Sequence, residues 1–429
     1  MPGGLIGKFN RERGRHGLWY ALRRTISYVT DPTKGRFSDD FNYFGSVTRT
    51  AELDTWNSRP LARPTKQLSI HWVIPDMDIG SGGHMNIFRI SKHLDEKGHD
   101  QHFYVFGKSK FKSAEEFREA VRTHFQPVKA QFTLLDQTSP QMQSSLVDSS
   151  SVGNSLDGKK ADHGRPADAL IATNWHTAYP VYQATGPKRK FYMVQDYEPW
   201  FYPMSSSYIF AQNTYRLGLA GITNGAWLAE LLKKKYGMSA GYFEQAYDPA
   251  KYFVDDTTPR DPNLVIYYAR PATPRRGWEL ALQALKQLKE QRPQTKIVLF
   301  GYDLSGIHVP FEHESLGVLN EQQLGALYRK AQVALVCSLT NYSIMPHEVM
   351  ACGCPLVDIK SQTTQAVFND GADSLLADPM PSAIAATLMR VLDNPALAAT
   401  LRSGGLAKTS TISWQAAADN VEQTIRQAF

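Results

Sequence analysis

Two doubly wound parallel α/β sheets facing each other across a cleft are predicted by three observations. Short apolar runs alternate with helix-periodic segments from Gln67 onward. The alternation breaks at a proline-containing stretch near the middle and then restarts, and 429 residues are too many for one ordinary core. Open α/β sheets bind ligands beyond the carboxyl ends of their strands, so chemistry is expected in the cleft.

In chain order, "LSIHWVIP" (68–75) reads as a strand, "HMNIFRISKHLDEKG" (84–98) as a helix closed by Gly98, and "QHFYVFG" (101–107) as the next strand. Gln137 to Asp168 is rich in Ser, Gly and Asp without periodicity and reads as a surface loop. "ADALIATNW", "KRKFYMVQD" and "LAGITN" are further strands, the last followed by the helix "GAWLAELLKKKYG". "AYDPAKYFVDDTTPRDP" (246–262) carries prolines and turn formers and is the expected hinge. After it come the strand "NLVIYYAR", helix "GWELALQALKQLKEQ", strand "TKIVLFG", helix "NEQQLGALYRKA", and strands "VALVCSL" and "CPLVDI". The expected organisation is a basic extension (1–65), a first α/β domain (66–245), the hinge, a second α/β domain (263–407) and a closing helix (408–429).

Charged residues at 21% and apolar residues at 42% describe a globular chain, and no apolar run reaches the length of a membrane span. Between Met1 and Arg36 eight basic residues face two acidic ones, which accounts for the whole net charge of +6. The remainder is neutral, which argues against a nucleic-acid surface on the main body. The basic segment interleaves Leu18, Trp19, Tyr20, Leu22 and Ile26, and suits either an amphipathic helix on an anionic membrane or a solvated arm. No signal peptide is expected, because no apolar stretch follows the basic residues. Three cysteines, Cys337, Cys352 and Cys354, suit burial in a reducing cytoplasm rather than a disulfide framework or a metal site.

Several segments carry candidate chemistry. The loop "DIGSGGHMN" follows the first strand and opens a helix, so its backbone N–H groups can meet an anion or can simply make a tight turn. Counting from Gly80 or Gly82 does not complete a dinucleotide fingerprint, because Met85 or Ile87 stands at the third glycine position. In "YYARPATPRRGWEL", Arg270 ends a strand while Arg275 and Arg276 begin the next helix, where cations oppose the helix dipole unless an anion sits between them. A diphosphate clamp or a solvated surface pair both satisfy this pattern. "SIMPHEVMACGCPLV" places a lone carboxylate, Glu348, in the first turn of a helix begun by Pro346 and ended by Gly353. There it can accept hydrogen bonds from two ribose hydroxyls, or serve only as a dipole partner. "QDYEPWFYP" sets Asp196 and Glu198 among aromatic rings that include Tyr197 and Trp200, an arrangement for sugar stacking or for plain packing. Asp76 and Asp78 precede the glycine loop and are not placed for a diphosphate-bound metal; none is expected.

The second half resembles the donor-binding domain of the large retaining glycosyltransferase family numbered four, with the GT-B fold of two facing Rossmann-like domains. "HEVMACGCPLV" resembles that family's E-A-M-A-C-G-x-P-V-V, "EQAYDPAKYF" its hinge segment, and "ISWQAAADNVEQTIRQAF" its helix crossing back to the first domain. The resemblance implies that Glu348 holds the donor ribose, that Arg270 and Arg276 bind the diphosphate with Arg275 beside them, and that Gly82 and Gly83 approach the donor phosphate or the acceptor. It also implies that His176, after the strand in "IATNWHTAYP", lies near the donor sugar, although a packing or capping histidine is the alternative. The family has a further glutamate eight positions before the second, where this chain has Thr340, followed by Asn341, Tyr342 and Ser343 in place of G-F-G. Main-chain N–H groups near Ser343 and Ile344 can still grip the sugar.

The expected function is therefore metal-independent, retaining transfer of a sugar from a dTDP- or UDP-linked donor, with no cofactor, to a saccharide or lipid-linked glycan in bacterial surface-polysaccharide synthesis. "YARP" and "QDYEPWFYP" are similar to rhamnosyltransferases that use dTDP-rhamnose. The expected location is the cytoplasm, at the inner face of the membrane if the basic arm docks there. The rivals are an oxidoreductase, disfavoured by the missing fingerprint, and a non-catalytic nucleotide-sugar binder or scaffold, suggested by Thr340.

Overall fold

The structure, a computed structural model, describes residues 56–107, 109–135 and 167–429. The basic segment 1–36 and the Ser/Gly/Asp-rich stretch up to residue 166 lie outside the described residues.

The first sheet contains β1 (Ser69–Pro75), β2 (Asp100–Phe106), β3 (Gln131–Leu135), β4 (Ala169–Ala172), β5 (Arg189–Val194), β6 (Ala220–Asn224) and β7 (Ala240–Phe243). Its order is β3-β2-β1-β4-β5-β6-β7, with every pairing parallel. Helices α1 (Gly82–Glu96), α2 (Ala114–His124), α3 (Trp175–Gln183), α4 (Ser206–Asn213) and α5 (Ala226–Tyr236) lie between the strands. The inner strands are buried on both faces, and for that reason they read as continuous apolar runs rather than alternations. β3 and β7 escape such a reading because they are edge strands and only partly buried.

The second sheet contains β8 (Asp261–Tyr268), β9 (Lys296–Phe300), β10 (Glu314–Ser315), β11 (Ala331–Leu335), β12 (Leu356–Ile359) and β13 (Leu375–Ala377), in the order β10-β9-β8-β11-β12-β13 and again all parallel. With it come α6 (Trp278–Gln291), α7 (Glu321–Lys330), α8 (Met345–Ala351), α9 (Gln362–Val367), α10 (Pro381–Asp393) and α11 (Pro395–Thr409). Helix starts follow local chemistry: Asn320 with Gln323 and Ser361 with Thr364 form reciprocal capping boxes at α7 and α9. Two parallel sheets of this kind make the GT-B fold.

The last helix, α12 (Trp414–Gln427), returns to the first sheet. Trp414, Ala417, Ala418, Val421 and Ile425 form one apolar stripe at helical spacing and are buried in the same core as Leu68, Ile87 and Phe243. Lys97 pairs with Asp419 and Glu422 at its edge, and Arg426 donates to the carbonyls of Thr65 and Lys66. The chain thus crosses between the domains twice, once before β8 and once before α12.

Candidate functional site

Hydrogen bonds join loops that leave the carboxyl ends of the two sheets. After β5, Asp196 accepts from the Thr340 hydroxyl at 2.7 Å and from the Asn341 backbone N–H at 3.1 Å, both in the loop after β11. The Asn341 amide donates to the Gln195 carbonyl at 2.7 Å and accepts from the Trp227 indole at 3.0 Å. The Tyr342 hydroxyl donates to Glu244 at 2.9 Å. Because every strand is parallel, these bonds bring the two carboxyl edges together, the geometry in which α/β sheets bind ligands.

Arg270, Arg275 and Arg276 lie at that edge, in the turn after β8. Arg275 and Arg276 do not open the helix as expected. They occupy a separate 3-10 turn, Pro274–Arg276, and α6 starts only after Gly277. Gly277 sits at φ 59°, and a Cβ there would come within 3.1 Å of the Cys337 side chain, so the turn needs glycine. No ion pair neutralises any of the three guanidinium groups among the described residues. Among the described residues the Arg270 guanidinium donates to the Tyr268 hydroxyl, at 3.4 Å, and Arg275 lies over the Phe201 ring. Burial and the adjacent Arg276 push the pKa of Arg275 down, while Asp196 opposes the shift. The Nη1 of Arg276 and the Oγ of Ser343 are buried with no hydrogen-bond partner among the described residues. Unpaired buried donors carry a desolvation cost, and an anion bound among them would remove it.

Glu348 sits in the first turn of α8, which follows β11, and is 7% exposed. Burial lifts its pKa to about 7, with Arg89 of α1 and the Tyr252 hydroxyl opposing the shift and Glu321 adding to it. Arg89 also contacts Glu321 of α7 at 3.4 Å and lies over Trp414, so one cation spans both domains and the closing helix. Neither Arg89 nor Tyr252 emerged from sequence reasoning. The available signal was Arg89 itself, a cation on the buried face of an amphipathic helix.

In the glycine loop, Gly80 takes φ 84°, and Ser81 precedes α1 without a side-chain cap. Gly83 lies against Gln195, which donates to its carbonyl at 3.2 Å, so the loop is tied to the Asp196 segment. Asp76 and Asp78 bind the loop at Ser109 and Lys110 instead of facing the arginines.

The segment around Glu198 departs from expectation. Glu198 turns into the core, where it accepts from the Trp175 backbone N–H at 2.8 Å and from the Tyr192 hydroxyl at 2.6 Å. Burial lifts its pKa to about 8. Both of its oxygens are engaged by protein donors there, and it holds the start of α3, the helix that carries His176. Tyr197 is likewise buried, and Asp196 is engaged by Thr340 and Asn341, which with burial, the dominant and pKa-raising cause, sets its environment. Of the four residues expected to bind acceptor, Trp200 is the exposed one, at 40%. His176 follows Trp175 at the start of α3, half-buried, with its ring stacked on that indole. Ile344 is half-buried at the entry to α8.

Fold and edge chemistry define a GT-B protein whose second domain carries three arginines, none in an ion pair among the described residues, and a buried carboxylate. Residues 250–407, which include most of the second domain, match the family model described as glycosyl transferases group 1. Residues 161–224 match the model described as WsaF, N-terminal domain. The O-antigen biosynthesis protein RfbC of Myxococcus xanthus is 35% identical over 258 residues, 59% of this chain and 20% of that protein. The match thus spans about a fifth of the relative's length. Among solved structures, sucrose-phosphate synthase of Thermosynechococcus elongatus has a TM-score of 0.64 at 15% identity, covering 84% of this chain and 99% of that one. Anabaena HepE in complex with UDP-glucose has 0.62 at 14%, covering 84% and 99%. The pneumococcal O-GlcNAc transferase GtfA, in complex with UDP and GlcNAc, has 0.61 at 11%, covering 85% and 99%. At these identities the likeness establishes the fold.

Proposed function

We propose that the protein is a glycosyltransferase that moves a sugar from a nucleoside-diphosphate donor to a saccharide or lipid-linked glycan during surface-polysaccharide synthesis. The observation that carries this reading is the cluster of Arg270, Arg275 and Arg276, without an ion-paired acid among the described residues and with a buried orphan donor on Arg276, at the carboxyl edge of a glycosyl transferases group 1 domain. A diphosphate supplies the charge and the acceptor atoms this cluster lacks. Glu348 then accepts from the ribose hydroxyls, and backbone N–H groups near Ser343 and Ile344, with Gly82 and Gly83 opposite, lie toward the sugar.

In the proposed mechanism the C–O bond from sugar to diphosphate breaks as Arg270 and Arg276 take up the developing charge. The leaving phosphate oxygen receives the proton of the acceptor hydroxyl as that hydroxyl bonds to the anomeric carbon on the same face, giving retention without a metal. His176 lies on the first-domain side of the sugar, and Trp200 offers the acceptor a ring face. The donor sugar we favour is L-rhamnose from dTDP-rhamnose. This rests on the sequence resemblance and on Thr340 standing where the related family has a glutamate that touches the donor sugar. The named relative's role in O-antigen biosynthesis supports the polysaccharide setting. Thr340 also favours a second reading, a nucleotide-sugar binder without turnover. A panel of dTDP- and UDP-sugars offered with lipid-linked acceptors distinguishes them, with the product's anomeric configuration read by NMR. Transfer with retained configuration supports the first reading, donor binding without turnover supports the second, and no binding of any nucleotide sugar refutes both.

A further inference from the structure

The chain segment after Asp196 exposes an apolar surface that the donor site does not use. Trp200, Phe201, Met204 and Ile209 are 40%, 38%, 76% and 43% exposed, in a 3-10 turn (Glu198–Phe201), the short stretch after it and α4. The Tyr197 hydroxyl ties this surface together: it is bonded by Gln212 of α4 and by Lys235 and Tyr236 of α5, while the Tyr197 ring meets Trp200 at 4.8 Å. Lys235 is the last of three exposed lysines, Lys233 to Lys235, at the end of α5, and the exposed Arg216 lies over Tyr236. On this helix Glu230 is the one exposed acid. The patch also borders the donor site, because Phe201 underlies Arg275.

We propose that this patch rests on an anionic lipid bilayer, so that a lipid-borne acceptor rises past Trp200 into the cleft; the proposal extends the glycosyl-transfer reading and takes the acceptor to be membrane-held. The side chains decide the occupant. A glycan stacks on ring faces, and Met204 and Ile209 offer none, whereas exposed aromatic and aliphatic side chains beside a row of lysines match the boundary between acyl chains and anionic headgroups. This surface lies in the first domain and is separate from the basic segment 1–36.

The test uses the full chain in co-sedimentation with vesicles of phosphatidylcholine alone and of phosphatidylcholine mixed with phosphatidylglycerol. Two double variants are compared with it, Met204→Ser with Ile209→Ser, and Lys233→Glu with Lys234→Glu; all four positions are exposed and outside the donor site. The unmodified chain is expected to bind the anionic vesicles and to weaken with salt. Each double variant is expected to bind them roughly tenfold or more weakly, with UDP binding unchanged. Failure of the unmodified chain to bind anionic vesicles overturns the proposal. Undiminished binding by both variants also overturns it and assigns docking to another surface, such as segment 1–36. The glycosyl-transfer reading fails separately, if the unmodified chain binds no nucleotide sugar whatever the vesicles do.

Discussion

Replacing Glu348 by glutamine tests the proposed donor site most directly, because the carboxylate's surroundings set both the size and the pH dependence of its contribution. Its pKa is lifted to about 7 by burial, against the pull of Arg89 and Tyr252. A ribose that donates two hydroxyl hydrogen bonds prefers the ionised form, so donor affinity follows the ionised fraction. That fraction rises about tenfold from pH 6 to pH 8 when the pKa is near 7, and binding near neutrality releases protons. Hydrogen bonds to a charged group contribute about 1.5–3 kcal/mol each, so glutamine, which accepts through one oxygen and carries no charge, should weaken binding at pH 8 by about 2–3 kcal/mol, roughly 30- to 160-fold. Titration calorimetry of UDP across this pH range, in buffers of different ionisation enthalpy, reads affinity and proton release together. The reasoning is refuted if Glu348→Gln keeps the wild-type affinity at pH 8, or if the variant keeps the wild-type rise with pH.

Further outcomes follow from the same geometry. Arg276→Ala should weaken UDP binding by about 3 kcal/mol, the value of two charge-assisted hydrogen bonds, without lowering Tm, since the guanidinium Nη1 is buried without a hydrogen-bond partner among the described residues; calorimetry and a melting curve check both halves. Glu198 ordinarily titrates near 4.5 and is lifted to about 8. Its contribution to stability is therefore fully present below the ordinary value and is lost as pH rises toward 8, with a slope of up to about 1.4 kcal/mol per pH unit. Glu198→Gln should remove that slope, so denaturant midpoints of variant and wild type should diverge in the variant's favour between about pH 6 and about pH 8; parallel curves would show that Glu198 is not held protonated. Asp196→Ala leaves the Thr340 hydroxyl and Asn341 N–H without their acceptor and should cost about 1–3 kcal/mol of stability; an unchanged denaturant midpoint would remove the bond between the sheets from the account.

The order of elements was largely legible because parallel strands buried on both faces must be continuously apolar, while the intervening helices need one apolar face. β1, β5 and β8 announce themselves in this way, and so does the stripe of α12, whose return to the first core followed from resemblance rather than periodicity. The edge strands β3 and β7 were not visible, since half-exposed strands lose the apolar run that marks the rest. The arginines and Glu348 stood out because charge at a strand end or among apolar neighbours is chemically conspicuous.

What the sequence alone determined is the alternation of elements and the types of charged group available at their ends. Only the tertiary structure decided which of those groups meet. It turned Glu198 inward, drew Asp196 onto Thr340 and Asn341, separated Arg275 and Arg276 from the helix behind Gly277, and set Arg89 of α1 near Glu348 of α8. The physical reason is that a side chain's burial and partners depend on contacts made in the folded chain, several of them between residues more than a hundred positions apart. Local periodicity records which face of an element is covered, and carries no information about what covers it.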